Sequence, residues 1–400
     1  MDHMPNQKDH KRTNGFAWQV VTAILCRLVL NTARRFAYPF APVLSRGLGV
    51  SLSAVTMIIA ANQSSALVGM VFGPLADRLG YRLMMLAGLG MLAVGLLAGG
   101  LLPYYSVVFI ALLLAGLGKS IFDPALQAYV SARVSYKRRG LYIGLLEFSW
   151  AGSTLIGIPA AALLIDWLGW RAPFFVGGGL GLIGMVALSR LISRDELSGD
   201  RTGSQFSLKS AWHLLVHTRP ALGVLAYAFW VSAANDNLFV IYGAWLEDSF
   251  NLSIVALGLG TGLIGVAELS GESLTVLWSD RIGLRRALLL GLFATLLSYG
   301  LLPFIGRNLV VTMIGLFFLF LCFEFTLVTS LSLSTEILPA ARATMMSSFF
   351  AAAGLGRVVG ALIGGQVWLK GGILATSLVS MGMSGLALAS LIWGLWEWKK

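Results

Sequence analysis

The sequence predicts an all-α membrane protein with twelve transmembrane helices in two pseudo-symmetric bundles of six helices each. Three observations support this fold class. The composition is strongly apolar, the apolar residues fall into long continuous runs, and one loop motif returns 203 residues later in a chain of 400 residues. A repeat of that length exceeds any solenoid unit and indicates two homologous halves.

The composition excludes an ordinary soluble domain. Hydrophobic residues make up 57% of the chain and charged residues only 12%, against about 25% charged residues in a typical soluble domain. Backbone polar groups must be paired in lipid, so membrane-spanning segments are either helices or strands of a closed barrel. The apolar runs here are continuous rather than alternating, which indicates helices.

The helices are placed by the length of the apolar runs, since a segment crossing the ~30 Å hydrocarbon core needs about 20 residues. The polar, Gly- and Ser-rich stretch from Ser193 to Ser204 predicts a linker between the sixth and seventh segments. We therefore expect an N-terminal six-helix bundle over 1–193, a cytoplasmic linker over 194–219 and a C-terminal six-helix bundle over 220–400. The predicted spans are 17–43, 51–74, 83–103, 105–132, 140–165, 172–193, 220–246, 254–278, 285–304, 308–337, 342–368 and 373–396.

Lys and Arg residues collect on one side of these segments, which the positive-inside rule makes the cytoplasmic side. Only Arg46, Arg171, Arg307 and Lys370 fall on the other side. This asymmetry predicts an inner-membrane or plasma-membrane protein, with both termini cytoplasmic, and we expect a monomer. It also accounts for the net charge of +11, so the partners we expect are membrane lipids and not nucleic acid.

One loop carries a family resemblance. Gly73-x-Leu75-Ala76-Asp77-Arg78-x-Gly80-x-Arg82 resembles the signature loop between helices 2 and 3 of the major facilitator superfamily. The segment Gly169-Trp170-Arg171-Ala172-Pro173-Phe174 also resembles that family, especially its drug:proton antiporter branch. The resemblance spans essentially the whole chain, and it implies a transporter in which helices 1, 4, 7 and 10 line a central cavity between the halves.

The same loop is expected to act as a conformational latch. Gly80 permits a tight turn, and Asp77 can accept charge-assisted hydrogen bonds at a helix N-terminus of the opposite half. Such a contact would favour the state that is open to the outside. The predicted latch residues are Gly73, Asp77, Arg78, Gly80 and Arg82, with Asp280 and Arg281 in the second copy.

Charged residues inside the predicted helices are the candidates for transport chemistry. A charge in the membrane is expensive unless it has a partner or a water-filled cavity. The N-terminal half carries mainly basic charges and the C-terminal half mainly acidic ones, so we expect a cationic wall that faces an anionic wall. The charged residues inside the predicted helices are Arg27, Arg34, Arg35, Lys119, Asp123, Glu147, Asp236, Glu268, Glu272, Glu324 and Arg357.

The acids of the C-terminal half are the candidates for proton coupling, because a desolvated carboxyl, or one beside another carboxylate, can exchange a proton near neutral pH. The competing interpretation is that they form static ion pairs which hold helices together. The proton-coupling candidates are Asp236, Glu268, Glu272 and Glu324. The substrate-binding candidates are Arg27, Asn31, Arg34, Lys119, Asp123, Glu147, Phe36, Trp150, Asn235 and Phe239.

Several other chemistries are not indicated. Gly118-Lys119-Ser120 resembles the end of a phosphate-binding loop, but Leu113 stands where the leading glycine would be. His213 and His217 have no acidic residue nearby, so we expect no metal site. No nucleophile and base pair suggests an enzyme, and no cofactor is expected.

The sequence thus predicts a secondary active transporter, with proton-coupled export of amphipathic, cationic or zwitterionic, small molecules by alternating access as the first hypothesis. The alternative is a proton symporter that imports a metabolite whose anionic group meets Arg27 and Lys119. A third hypothesis is a sensor with a transporter fold that does not transport.

Overall fold

The computed structural model describes residues 7–134, 139–192, 214–305, 308–338, 342–396 and 398, and these are almost entirely helical. The N-terminal half contains α1 (Gln7–Arg35), α2 (Ala41–Leu48), α3 (Leu52–Leu79), α4 (Tyr81–Leu101), α5 (Tyr105–Arg133), α6 (Arg139–Gly152), α7 (Ile158–Leu168) and α8 (Ala172–Leu191). The C-terminal half contains α9 (Arg219–Phe239), α10 (Tyr242–Phe250), α11 (Ile254–Ile282), α12 (Leu284–Ile305), α13 (Leu309–Ile337) and α14 (Arg342–Gly394).

The helices are long and apolar enough for twelve crossings. In the described part of the chain, ten helical segments are long and apolar enough to cross a membrane. The count is eleven if α2 and α3, which are bent by 115°, form one span. Helix α14 has 53 residues, about 80 Å at ~1.5 Å per residue, more than twice the core of the bilayer. Its helical geometry breaks at Gly371 and Gly372, so it supplies two crossings. The predicted all-helical fold with two related bundles is confirmed.

Two predicted spans are not continuous, which corrects the sequence analysis. The expected helix 17–43 ends at Arg35 and resumes as α2, and the expected helix 220–246 ends at Phe239 and resumes as α10. Pro42 lies in the first turn of α2, where its missing N–H is tolerated and its fixed φ favours a new start. The two breaks occupy equivalent positions in the two halves.

The expected span 140–165 is present as a segment over Leu145–Leu168 that is long and apolar enough to cross a membrane, but it contains an irregular turn. A π-helical turn, Ser153–Gly157, separates α6 from α7, and Pro159 stands in the first turn of α7. A proline cannot donate the next helical hydrogen bond, and a π turn changes the direction in which neighbouring side chains point. Thr154 lies on this turn, and its hydroxyl reaches the opposite half of the molecule.

The internal repeat is visible in the backbone. Gly80 and Gly283, which are 203 residues apart, have φ values of 91° and 89°, a region that glycine enters without steric cost. Gly169 and Gly372 have the same spacing and φ values of 87° and 57°. The sequence repeat therefore corresponds to a structural repeat of sharp turns between the same pairs of helices.

The two halves touch where α3 packs on α14 and where α7 packs on α11. We define the terminal face as the side on which α1 begins and α14 ends, and the far face as the opposite side. Close contacts lie toward the far face: a Cβ on Gly243 would be 2.1 Å from the Pro39 carbonyl oxygen, and one on Gly258 would be 2.3 Å from the Ala162 Cβ. The structure is therefore closed at the far face.

Candidate functional site: buried charged networks between the halves

A first cluster of charges lies within the N-terminal half. Arg27 of α1 donates from Nε to Asp123 Oδ1 at 3.1 Å, from Nη2 to Glu147 Oε1 at 3.1 Å and from Nη1 to the Leu146 carbonyl at 2.6 Å. Lys119 also pairs with Asp123, one helical turn away on α5. Two cations thus neutralise two carboxylates. The Glu147 side chain is 42% exposed, so this cluster is only partly enclosed by protein.

A second ion pair connects the two halves. Arg35, the last residue of α1, donates from Nη2 to Glu268 Oε1 at 2.5 Å and from Nη1 to Glu268 Oε2 at 3.3 Å. The hydroxyl of Thr154 on the π turn donates to Glu268 Oε2 at 2.9 Å. Both ion-pair partners are buried, at 6% and 5% side-chain exposure. The pair is a specific contact between α1 and α11.

A third network also crosses between the halves and ends at Asp236 on α9. Arg34 donates from Nε to Gln63 Oε1 at 3.1 Å, and the Gln63 amide donates to the Tyr38 hydroxyl. The Tyr38 hydroxyl in turn donates to Asp236 Oδ1 at 2.5 Å. Asp236 is 3% exposed, and the positive charges of Arg34 and Arg357 act on it. A buried carboxylate is tolerable here because it is hydrogen-bonded and lies near cations.

Trp150 of α6 lies at the centre of these networks. Its ring centroid is 4.3 Å from Arg35 Cζ, 5.6 Å from Lys119 Nζ and 5.7 Å from Arg357 Cζ. Cations favour the face of an indole ring, which carries negative charge density. Trp150 therefore forms an aromatic surface for cations from both halves.

Phe239 supplies a second aromatic surface on the side of the C-terminal half. Its ring stacks on Tyr242 at 5.1 Å, lies 4.8 Å from Tyr38 and packs edge-on against Phe320 at 5.5 Å. Arg35 Cζ is 5.7 Å from the Phe239 ring centroid. The guanidinium group of Arg35 thus has an aromatic ring from each half within cation–π distance.

Two further carboxyls accompany Glu268. Glu272 lies one turn further along α11, and Glu324 lies on α13, 5% exposed. The helices approach closely here, because a Cβ on Gly271 would be 3.0 Å from the Glu324 Cβ. Among the described residues, no cation lies within ion-pair distance of either carboxyl, although Arg35 acts on Glu324 electrostatically.

Other predicted substrate contacts take different positions. Phe36 is 2% exposed and packs edge-on against Phe174 at 5.3 Å, within the N-terminal half. Its role as a substrate contact stays a prediction. Asn31 donates to Ser149 Oγ at 3.2 Å. The side-chain oxygens of Asn31 and Asn235 are buried without a hydrogen-bond partner.

Only some of the predicted latch residues are among those that the structure describes. Gly80 makes the sharp turn between α3 and α4, and Arg82 donates to the Ser189 carbonyl at 2.6 Å, which ties α4 to α8. Arg281 is exposed. The side chains of Asp77, Arg78 and Asp280, together with Gly73, lie outside the described residues, as does His213. In the part of the chain that is described, no group of His, Cys, Asp or Glu is arranged to hold a metal.

The sequence analysis missed three neutral members of the site. Gln63 and Thr154 lie in apolar spans, and Tyr38 lies between Phe36 and Phe40 near the end of the first predicted span. A neutral polar residue in a membrane span is a weak indication of function, because it can also bond to its own helix. Arg34 and Arg35, at 7% and 5% exposure, are buried between the halves.

Two sequence-related helical bundles with buried charged residues between them are an arrangement typical of secondary transporters. The family model of the Major Facilitator Superfamily matches residues 23–236 and 225–400, and the chain belongs to that superfamily. It is therefore a transporter and not an enzyme.

Curated relatives cover most of the chain. The Lactococcus lactis protein described as a multi-drug resistance efflux pump PmrA homolog is 24% identical over 97% of this chain and 97% of its own length. The Bacillus subtilis uncharacterized MFS-type transporter YceJ is 25% identical over 85% of this chain and 86% of its own. The multidrug resistance protein MdtG of Serratia proteamaculans is 27% identical over 58% and 57%. The chain thus resembles the drug-efflux branch.

Solved structures share the fold at low sequence identity. A bacterial homolog of the human lysosomal transporter Spinster, in an inward-facing and unoccupied conformation, superposes with a TM-score of 0.77 at 14% identity, over 95% of this chain and 94% of the other. The nucleoside transporter NupG superposes with a TM-score of 0.78 at 13% identity, over 96% and 100%.

Proposed function

We propose that the protein exports amphipathic, cationic or zwitterionic, small molecules in exchange for protons by alternating access. The observation that carries the proposal is the excess of carboxyl groups over cations among the charged residues of the membrane spans. Five cations face six carboxyls: Arg27, Arg34, Arg35, Lys119 and Arg357 against Asp123, Glu147, Asp236, Glu268, Glu272 and Glu324. One of these carboxyls can therefore take up either a proton or the positive charge of a substrate, but not both.

Competition for a carboxyl is the physical basis of antiport. A substrate cation stabilises the ionised carboxyl, whereas protonation removes its attraction for the cation. Asp236, Glu268, Glu272 and Glu324 are the coupling groups in this proposal. The description of the Lactococcus lactis relative as a multidrug efflux pump supports the assignment of direction and substrate class.

Import of an anionic metabolite is the weaker alternative. It would require Arg27 and Lys119 to be available to the anion, whereas Asp123 and Glu147 already neutralise them. An anion would have to displace two carboxylates from partly buried positions. A sensor that does not transport is the third hypothesis, and it predicts ligand binding without proton flux.

The membrane arrangement belongs to the same proposal. The terminal face is the cytoplasmic one in this proposal, so closure at the far face is closure to the outside, as expected of an exporter that awaits a substrate from the cytoplasm. The halves are the units 1–193 and 220–400, joined by a cytoplasmic linker, and the working unit is a monomer in the inner or plasma membrane. The latch around Asp77 stabilises the opposite, outward-open state.

The experiment uses purified protein in liposomes with a pH dye inside and no imposed gradient. Cationic, zwitterionic and anionic compounds are added outside one at a time. Antiport predicts that a cationic or zwitterionic compound makes the lumen more alkaline. Acidification would indicate symport instead, and ligand binding without any proton flux would indicate a uniporter or a sensor. Liposomes without protein are the control.

A further inference from the structure

Arg35 occupies a position that has the features of a binding site for a cation. Its guanidinium lies over the Trp150 ring, with Phe239 further along, and it makes two hydrogen bonds to Glu268. The Thr154 hydroxyl bonds to the same carboxylate and fixes its orientation. We call the space bounded by Trp150, Phe239 and Glu268 the guanidinium slot.

The slot selects a planar cation that carries several N–H donors. A carboxylate that receives two N–H bonds from one group matches the fork of a guanidinium or an amidinium, whereas an ammonium offers only a point charge. The aromatic face adds a stacking surface for the same flat group. Beside the slot, the rings of Tyr38, Tyr242 and Phe320 pack on Phe239 and offer an apolar surface to a body attached to the cation.

Arg35 has a second carboxyl available if it leaves the slot. Glu324 acts on Arg35 electrostatically, and no cation within the described chain lies within ion-pair distance of it. Transfer of Arg35 from Glu268 to Glu324 would keep a buried cation neutralised, which matters because stranding a buried charge is costly. Arg35 thus has Glu324 as an alternative partner, and the guanidinium slot becomes vacant when Arg35 moves to it.

Acidic residues lie near the slot. Glu147 is partly exposed, and Glu272 is affected electrostatically by both Glu147 and Glu268. Glu147 is paired with Arg27, whereas Glu272 has no cation within ion-pair distance among the described residues. The unbalanced negative charge of Glu272 beside the slot attracts cations.

We propose that Arg35 stands in for the cationic group of the substrate, and that amphipathic guanidinium and amidinium compounds bind by taking its place between Trp150, Phe239 and Glu268. This assignment rests on the proposed export of cationic compounds and specifies their chemistry. Binding then separates Arg35 from Glu268 and so removes an ion pair that joins the halves.

The test measures equilibrium binding to purified full-length protein with three probes that share one biphenyl body. They are 4-phenylbenzamidinium, the trimethylammonium analogue without donors, and the neutral 4-phenylbenzamide. We expect the amidinium to bind at least tenfold more tightly than the trimethylammonium compound, because only it can form two bonds to the carboxylate. Equal affinity for the amidinium and the amide would overturn the proposal.

Variants test the competition directly. Arg35→Gln removes the internal competitor and should tighten amidinium binding by about tenfold or more. Its matched control is Arg46→Gln, which removes an arginine that is also paired with a glutamate, Glu247, but at the far face. This control should leave the affinity unchanged. Weaker or unchanged binding in folded Arg35→Gln would overturn the role of Arg35 as a stand-in.

A second pair of variants covers the case in which Arg35→Gln does not fold. Trp150→Phe keeps an aromatic face and should hold the affinity within about threefold, whereas Trp150→Leu should weaken it about tenfold. Equal affinity of the two variants would overturn the slot. Proton flux without these binding effects refutes the slot alone, and amidinium binding without proton flux refutes the proposed antiport alone.

Discussion

The guanidinium of Arg35 and the carboxylate of Glu268 form a two-bond ion pair between the halves, with N–O distances of 2.5 and 3.3 Å. Both side chains are almost completely buried, so this contact excludes water. Removing one member of a buried pair strands the other charge, at a typical cost of about 3–5 kcal/mol. Any motion that separates α1 from α11 therefore needs a new partner for each group.

Replacing Glu268 by glutamine should abolish coupling. Glu268→Gln keeps the shape of the side chain and an acceptor for Thr154, but it cannot take up or release a proton. We expect compound-dependent proton flux in liposomes to fall at least tenfold, while the protein stays folded because Glu324 remains near Arg35. Asp166→Asn, an exposed acid at the end of α7, is the control and should keep full flux. Normal flux in Glu268→Gln would remove this residue from the coupling mechanism.

Asp236 allows the carboxyl to be separated from its hydrogen bond. Asp236→Asn retains an oxygen that can accept from the Tyr38 hydroxyl, whereas Tyr38→Phe removes the donor and leaves the carboxyl. We expect Asp236→Asn to lose uptake driven by a pH gradient but to retain substrate exchange without a gradient, since exchange needs no net protonation. Tyr38→Phe should retain both, at reduced rates. The opposite pattern in the two variants would show that the hydrogen bond, and not the proton, is what matters.

Much of this architecture follows from the sequence. The continuous apolar runs, the 203-residue repeat and the loop at Asp77 were sufficient for the fold, because spans and repeats are encoded locally. The charges of the cavity were also recognisable, since ionisable residues are rare within membrane spans. The sequence does not show which of these charged residues pair with one another. Helical spacing places residues on a face, but it does not say which other helix that face meets.

Arg34 and Arg35 illustrate the limit. They are neighbours in sequence at the end of α1, yet Arg34 bonds to Gln63 within its own half and Arg35 bonds to Glu268 of the other half. Their environments depend on where α1 ends. That end was predicted beyond Arg35, at residue 43, because apolar residues continue past Arg35 to Leu44. The π turn that aims Thr154 at Glu268 likewise leaves only Pro159 as a trace in the sequence.

Arg27 should behave as a structural residue as well as a cavity residue. Arg27→Gln leaves Asp123 and Glu147 with one fewer cation, so we expect the unfolding free energy to fall by about 3 kcal/mol. Arg27→Gln combined with Asp123→Asn removes one charge of each sign and should recover at least half of that loss. Thermal unfolding in detergent measures both. Additive losses in the double variant would mean that the two residues do not stabilise each other.

The closed far face can be tested through Gly243, which faces the backbone of the opposite half. A Cβ at this position would lie 2.1 Å from the Pro39 carbonyl oxygen, and backbone cannot move aside as a flexible side chain can. Gly243→Ala should therefore prevent α2 and α10 from meeting, and the molecule should favour the state that is open at the far face. A cysteine introduced at Ser53 should then react faster with a membrane-impermeant thiol reagent added on that side, and transport should slow at least tenfold. Gly382→Ala is the matched control, because its added Cβ meets nothing within 4 Å. Unchanged thiol reactivity together with unchanged transport in Gly243→Ala would show that this contact does not govern access.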